Sequence, residues 1–126
     1  MFEYKAKITR VIDGDTVDAM IDLGFSVHRK IRIRLHGINT PESRTKDLEE
    51  KERGLQAKNR LIGILEEHDY EVDLKSYGVG KFGRCLGELF YFKHIPDSWE
   101  SEFVKTSINN QLVEEGHAVK YYGGKR

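Results

Sequence analysis

Val27-His-Arg-Lys-Ile-Arg-Ile-Arg-Leu-His-Gly-Ile-Asn-Thr-Pro-Glu42 contains two kinds of pattern in succession. Up to His36 the apolar Ile31, Ile33 and Leu35 alternate with Arg32, Arg34 and His36, which is the period of a strand with one basic face. Gly37 and Pro41 then break the run and leave Glu42 in a loop. The stretch from Arg34 to Glu42 therefore closes a strand with an arginine and presents a carboxylate a few residues later. Two other clusters are candidates to join it, Asp13-Gly14-Asp15-Thr16 and Phe82-Gly83-Arg84.

Working outward, Phe2 to Ile12 alternates and runs into the turn dipeptide Asp13-Gly14, so a strand enters a hairpin there. Val17, Ala19, Ile21 and Leu23 alternate with Thr16, Asp18, Met20 and Asp22 up to Gly24, a second strand. From Lys46 to Glu67 the rhythm changes. Leu48, Leu55 and Ile62 recur every seven residues beside a stripe of Ala57, Leu61 and Leu65, which predicts one amphipathic helix, with Gly54 as a possible kink or later start. Tyr70 to Leu74 and Cys85 to Phe92 resume strand character. Pro96-Asp97-Ser98 offers a turn and helix caps, and Val104, Ile108 and Leu112 predict a second helix ending at Gly116. Five strands with a helix between the third and fourth is the plan of an OB-fold barrel. The expected class is α+β, mainly β, with flanking helices.

Composition narrows the function classes. A chain of 126 residues has one domain's worth of length, so residues 1–126 are expected to form a single domain. With 21 Lys plus Arg against 21 Asp plus Glu, the formal net charge is zero, so any basic surface has to be local. The lone Cys85 excludes an internal disulfide and a multi-cysteine zinc site. No signal triplet opens the chain and no apolar run reaches membrane-spanning length, so a cytoplasmic protein without a membrane partner is expected.

Taken singly, each candidate has an ordinary reading. Asp13-Gly14-Asp15-Thr16 can be a plain hairpin turn, Arg34 a solvated strand residue and Glu42 a surface carboxylate. His36 and His117 lack metal-site spacing. Tyr121 and Tyr122 can stack on a base or simply pack, and Trp99 reads as a packing anchor. Gly78-Val-Gly-Lys-Phe-Gly83 matches the dinucleotide fingerprint in form, but a strand follows it where the fingerprint needs a helix.

Together, and in order, these pieces resemble the staphylococcal nuclease (thermonuclease) family over nearly the whole chain. The shared signatures are Val11-Ile12-Asp13-Gly14-Asp15-Thr16-Val17, Arg34 to Glu42, Gly83-Arg84, and Ile108-Asn109 with Leu112-Val113 and Gly116-His117-Ala118. The resemblance implies an OB-fold barrel and a calcium-dependent, sugar-nonspecific phosphodiesterase that cuts DNA and RNA to 3′-phosphates. It further implies metal binding by Asp15 and the Thr40 carbonyl, a general base at Glu42, phosphate binding by Arg34 and Arg84, and a structural role for Asn109. Lys81, Phe82 and Tyr122 are the expected substrate contacts. Single-stranded or frayed DNA and RNA are the expected partners, bound by a monomer.

Three departures qualify the match. Asn39 stands where the family usually has a second metal-binding aspartate, which points to weaker calcium binding and opens Mn2+ or Mg2+ as alternatives, with Asp13 a candidate to compensate. Phe82 replaces a tyrosine. The chain ends soon after Tyr122, where the best-known members continue into another helix, so a trimmed domain is expected. The rival reading is a catalytically weak OB-fold module that binds nucleic acid or protein.

Overall fold

The structure, a computed structural model, describes residues 2–79, 83–95 and 102–121. Strand β1 (Phe2–Asp13) turns at Gly14 into β2 (Thr16–Asp22), and β2 turns into β3 (His28–Leu35). A short β4 (Ile38–Asn39) precedes helix α1 (Leu48–Glu66), which is followed by β5 (Glu71–Val79), β6 (Cys85–Ile95) and β7 (Glu102–Ser107). Helix α2 (Ile108–Glu114) and β8 (Val119–Lys120) complete the order.

The strands run β3-β2-β1-β5-β6, and β6 returns to β3 through a parallel pairing of Cys85 to Gly87 with Ile33 to Leu35. That last pairing closes a five-stranded mixed barrel, the OB-fold plan. Alternation then does what it must in a closed sheet. Val17, Ala19, Ile33, Leu35 and Leu89 fill the interior, while Arg32 and Arg34 stay outside it. Helix α1 lays Ala57, Leu61, Ile64 and Leu65 on the barrel, and α2 adds Ile108 and Leu112.

Two local expectations change. In α1 two members of the seven-residue series point outward, Leu48 at 79% exposed and Leu55 at 40%, while Ile62 packs against the core. Two adjacent stripes can be drawn on one helix, and the barrel takes the one with small Ala57 at its close approach. Gly54 does not kink the helix, which runs unbroken from the Asp47 cap; the Asp47 side chain accepts from the Glu49 and Glu50 amides at 3.1 and 3.2 Å. The second correction concerns Val104. It lies in β7, antiparallel to residues 90–95 of β6, and is 45% exposed. The Val104, Ile108, Leu112 spacing has helical period, but residues 103–106 are aromatic, β-branched or long and are claimed by the distant β6. The true cap is Ser107, whose hydroxyl accepts from the Asn110 amide at 3.2 Å. Pro96-Asp97-Ser98 and Trp99 lie outside the described residues.

Candidate active site

All three clusters picked from the sequence contribute to one end of the barrel, the third through Arg84. Asp15 sits in the β1–β2 turn, and the pairing of Thr16 with Arg34 puts it beside the end of β3. The Leu35 amide donates to the Asp15 carbonyl at 2.8 Å, which fixes that junction. The chain leaves β3 through Gly37, at φ +78°, into the small β4–β8 sheet that pairs Asn39 with Val119. From there Thr40, Pro41 and Glu42 line a cleft of about 620 Å3, together with Asp15, Arg34, Asn39 and Arg84.

Two helices hold this end in place. A Cβ on Gly54 of α1 would lie 2.4 Å from the Glu42 carbonyl oxygen and 2.7 Å from the Ser43 amide nitrogen. The glycine is therefore what lets α1 lie directly on the backbone that carries Glu42. On the other side Asn109 of α2, 2% exposed, accepts from the Leu89 amide at 3.2 Å and donates to the His36 and Gly87 carbonyls at 3.0 and 3.1 Å. It ties the helix to the seam where β3 meets β6.

Asp15 and Arg34 anchor the buried polar groups on the floor of the cleft. Asp15, only 6% exposed, accepts from the Thr16 hydroxyl at 3.0 Å through Oδ1 and from the Thr40 amide at 3.1 Å through Oδ2. The Arg34 guanidinium spans the floor: Nη1 donates to the Leu35 carbonyl at 2.9 Å, and Nη2 lies 2.6 Å from Asn39 Oδ1 and 3.5 Å from Asp15 Oδ2. Burial of this kind is tolerable only when the charges are paired and hydrogen bonded, as they are here. Glu42 is exposed at the rim; its backbone amide faces Glu50 Oε1 at 3.4 Å.

Asp13, the candidate to compensate, lines the same cleft and is engaged by the side chains of Ser43 and Arg44. The Ser43 hydroxyl donates to its Oδ1, and Arg44 Nη2 stands 3.9 Å from its Oδ2. Sequence reasoning passed over Ser43 and Arg44, and Tyr121 remained ambiguous. All three depend on how the 40–44 loop and β8 fold back, as when the Tyr121 amide donates to the Gly37 carbonyl at 2.8 Å. The one available signal was a cation two positions after Glu42. The expected contacts Lys81, Phe82 and Tyr122 lie outside the described residues.

The donor set suits a hard cation held loosely. A cationic nitrogen, Arg34 Nη2, already sits between Asp15 Oδ2 and Asn39 Oδ1, so the two oxygens converge on a point where positive charge is favourable. Both are oxygen donors, as Mg2+ and Ca2+ prefer. Among the described residues, however, no three His, Cys, Asp or Glu side chains gather into a cage. A cation here would keep most of its waters.

Comparison with known proteins agrees with this geometry. The family described as staphylococcal nuclease homologue matches residues 32–126. A micrococcal nuclease from Shigella flexneri is 29% identical over 123 residues, which is 96% of this chain and 62% of that protein. Protein ParB from Escherichia coli is 31% identical over 119 residues, 94% of this chain and 58% of that protein. The chain thus spans about 60% of the length of these curated relatives.

Proposed function

This chain belongs to the staphylococcal nuclease homologue family, and on that premise we propose that it is a metal-dependent phosphodiesterase that cuts DNA and RNA to 3′-phosphates. The observation that carries the reading is the convergence of Asp15, Arg34, Glu42 and Arg84 on one cleft. A binding module has no need of a base, a buried carboxylate and two guanidinium groups in one place.

Asp15, Asn39 and the Thr40 carbonyl would hold the cation, Ca2+ or, given the single full charge, Mg2+ or Mn2+. When bound it would act as a Lewis acid on a phosphoryl oxygen. Glu42, at the open rim, takes the proton of a water that attacks phosphorus. The P–O5′ bond breaks, the phosphate stays on the 3′ side, and the leaving 5′ oxygen is protonated from solvent. Charge grows on the equatorial oxygens as attack proceeds, and the planar forks of Arg34 and Arg84 follow it with paired hydrogen bonds. Arg34 has first to exchange Asn39 for the phosphate, since its Nη2 donates to Asn39 Oδ1.

The cleft has one feature that favours the rival, a catalytically weak binding module: Asn39 brings an amide and not a second carboxylate beside Asp15 and Arg34. Digestion of single-stranded DNA with Ca2+, Mn2+, Mg2+ or chelator separates the two. Glu42→Gln should lower cleavage by about 10²–10⁴-fold. Asn39→Asp should tighten the affinity for the metal alone about tenfold by calorimetry, a gain limited because the new carboxylate also attracts Arg34. Cleavage no better than that of Glu42→Gln with every metal would leave the binding module as the function.

A further inference from the structure

The outer face of the β1–β2–β3 meander carries charge that the cleft does not use. On β3, Arg34, Arg32, Lys30 and His28 alternate with the inward Ile33 and Ile31, and so share one side of the sheet. The register sets Arg32 and Arg10 on either side of Asp18, and Lys30 opposite Met20. Arg32 is spent on Asp18, through Nε at 2.9 Å and Nη2 at 3.3 Å. Arg10 and Lys30 add to the field that holds the Asp18 carboxyl below its ordinary range, after the dominant Arg32 hydrogen bond. Farther along β1, Lys5 and Lys7 face Asp73 and Glu71 of β5, so the excess positive charge lies on the β3 side. In a chain of zero formal net charge this is a local basic surface.

The same strands end in an unusual tip. Every residue from Asp22 to Lys30 is exposed, yet the turn is tightly hydrogen bonded. The Leu23 amide donates to the Val27 carbonyl at 2.9 Å, the Val27 amide to the Gly24 carbonyl at 2.9 Å, and the Gly24 amide to Asp22 Oδ1 at 2.8 Å. Gly24, Phe25 and Ser26 all have positive φ, at +81°, +52° and +62°. A bulky aromatic residue rarely adopts that conformation, and here it holds the Phe25 ring 102% exposed. Arg34 lies six steps along β3 from His28, about 20 Å at the usual rise.

We propose that this face and its tip form a second contact site for single-stranded nucleic acid, with phosphates against Lys30 and Arg10 and a base stacked on Phe25. The strand would leave the cleft at Arg34 and follow β3 to the tip. The inference rests on the nucleic-acid reading of the cleft. A lipid surface fits less well, because the cations run along the strand leading from the cleft and do not form a collar around the ring.

The test is anisotropy of labelled oligothymidylates of about four and about sixteen nucleotides, in chelator and over a range of salt. The native full chain is compared with Arg10→Glu/Lys30→Glu and with Phe25→Ser, and thermal melting checks that each is folded. Charge reversal should weaken the longer oligomer at least tenfold and lower the salt slope by about one to two units. Phe25→Ser should weaken it by about five- to a hundredfold with the slope unchanged. The shorter oligomer should not distinguish the three proteins. Equal affinity of folded variants for the longer oligomer overturns the site, as does failure of the native chain to bind it. So does Phe25-dependent binding to phosphatidylserine vesicles with unaltered oligomer binding. Because no cleavage is involved, a native chain that binds along this face but cuts with no metal would sink the nuclease reading alone.

Discussion

Strand β3 joins two ends of the barrel that treat polar side chains in opposite ways. At the cleft end Asp15, Thr16, Thr40 and Ser43 are buried, each 7% exposed or less, and Arg34 is held by Leu35, Asn39 and Asp15. At the hairpin end the nine residues from Asp22 to Lys30 are all exposed, and order comes from backbone hydrogen bonds and the Asp22 carboxylate's hold on the Gly24 amide. Burial at the first end fixes the directions of Asp15 and Arg34, as the proposed transition-state role requires. Exposure at the second leaves charge and ring to adapt to a polymer. The difference predicts that the two ends respond differently to the same chemical change.

The largest contrast should come from arginine. Arg34→Lys or Arg84→Lys removes a planar fork that the proposed mechanism uses mainly in the transition state, and kcat should fall by about 10²–10³-fold with KM little changed. Arg32→Lys, two residues along the same face and committed to Asp18, should leave turnover of a dinucleotide phosphodiester within about twofold. Steady-state kinetics of the three variants decide it. Equal losses in kcat and in ground-state binding at Arg34 would mean that the arginine merely binds phosphate.

Glycine gives a smaller contrast, between packing and conformation. An alanine at Gly54 meets the Glu42 carbonyl at 2.4 Å, whereas at Gly24 nothing lies within 4 Å and the only obstacle is φ +81°. Gly54→Ala should cost about 1–3 kcal/mol by overpacking, against a gain of about 1 kcal/mol in helix propensity, and should displace Glu42 and lower kcat. Gly24→Ala should cost about 1–2 kcal/mol of left-handed strain and spare kcat. Denaturant melts and kinetics on both proteins check this. A Gly54→Ala protein more stable than the native chain would show that α1 does not press on the 42–43 backbone.

The same contrast explains what was legible in the sequence. Asp15, Arg34 and Glu42 were readable because each sits at a break between period-two alternation and a turn, where local chemistry dictates the structure. The barrel was readable because its strands alternate cleanly. Val104 was misread because three residues of a strand and helix happened to share helical spacing, and only the pairing of β7 with β6 reveals the strand. The outward turn of Leu48 and Leu55, and the roles of Ser43 and Arg44, likewise depend on contacts between segments far apart in sequence. The hydrogen bond from Arg34 to Asn39 was also hidden, since it depends on how the chain after Gly37 folds back beside the end of β3.

The smallest effect concerns the clamp that makes the cleft end rigid. Helix α1 reaches the 42–43 backbone through Gly54, α2 reaches His36 and Gly87 through Asn109, and a bidentate Arg60–Glu115 pair at 2.6 and 3.0 Å joins the two helices. Glu115 is held at about 2, against an ordinary 4.5, chiefly by the Arg60 hydrogen bonds, with burial opposing and Gln111 assisting. A depressed carboxyl pKa stabilises the fold above the unfolded value of about 4.5, and that contribution is lost as pH falls through about 2. Both side chains are about one-third exposed, 36% and 32%, so solvent screening limits the pair to about 1 kcal/mol or less. Glu115→Gln should therefore lower stability by that amount at pH 7, and the gap to the native chain should close as the pH approaches 2. Hydrogen exchange at pH 7 should show faster opening at residues 36–43 and no change at residues 22–30. Equal acceleration at both ends would mean that the helix pair supports the whole barrel and not the cleft in particular.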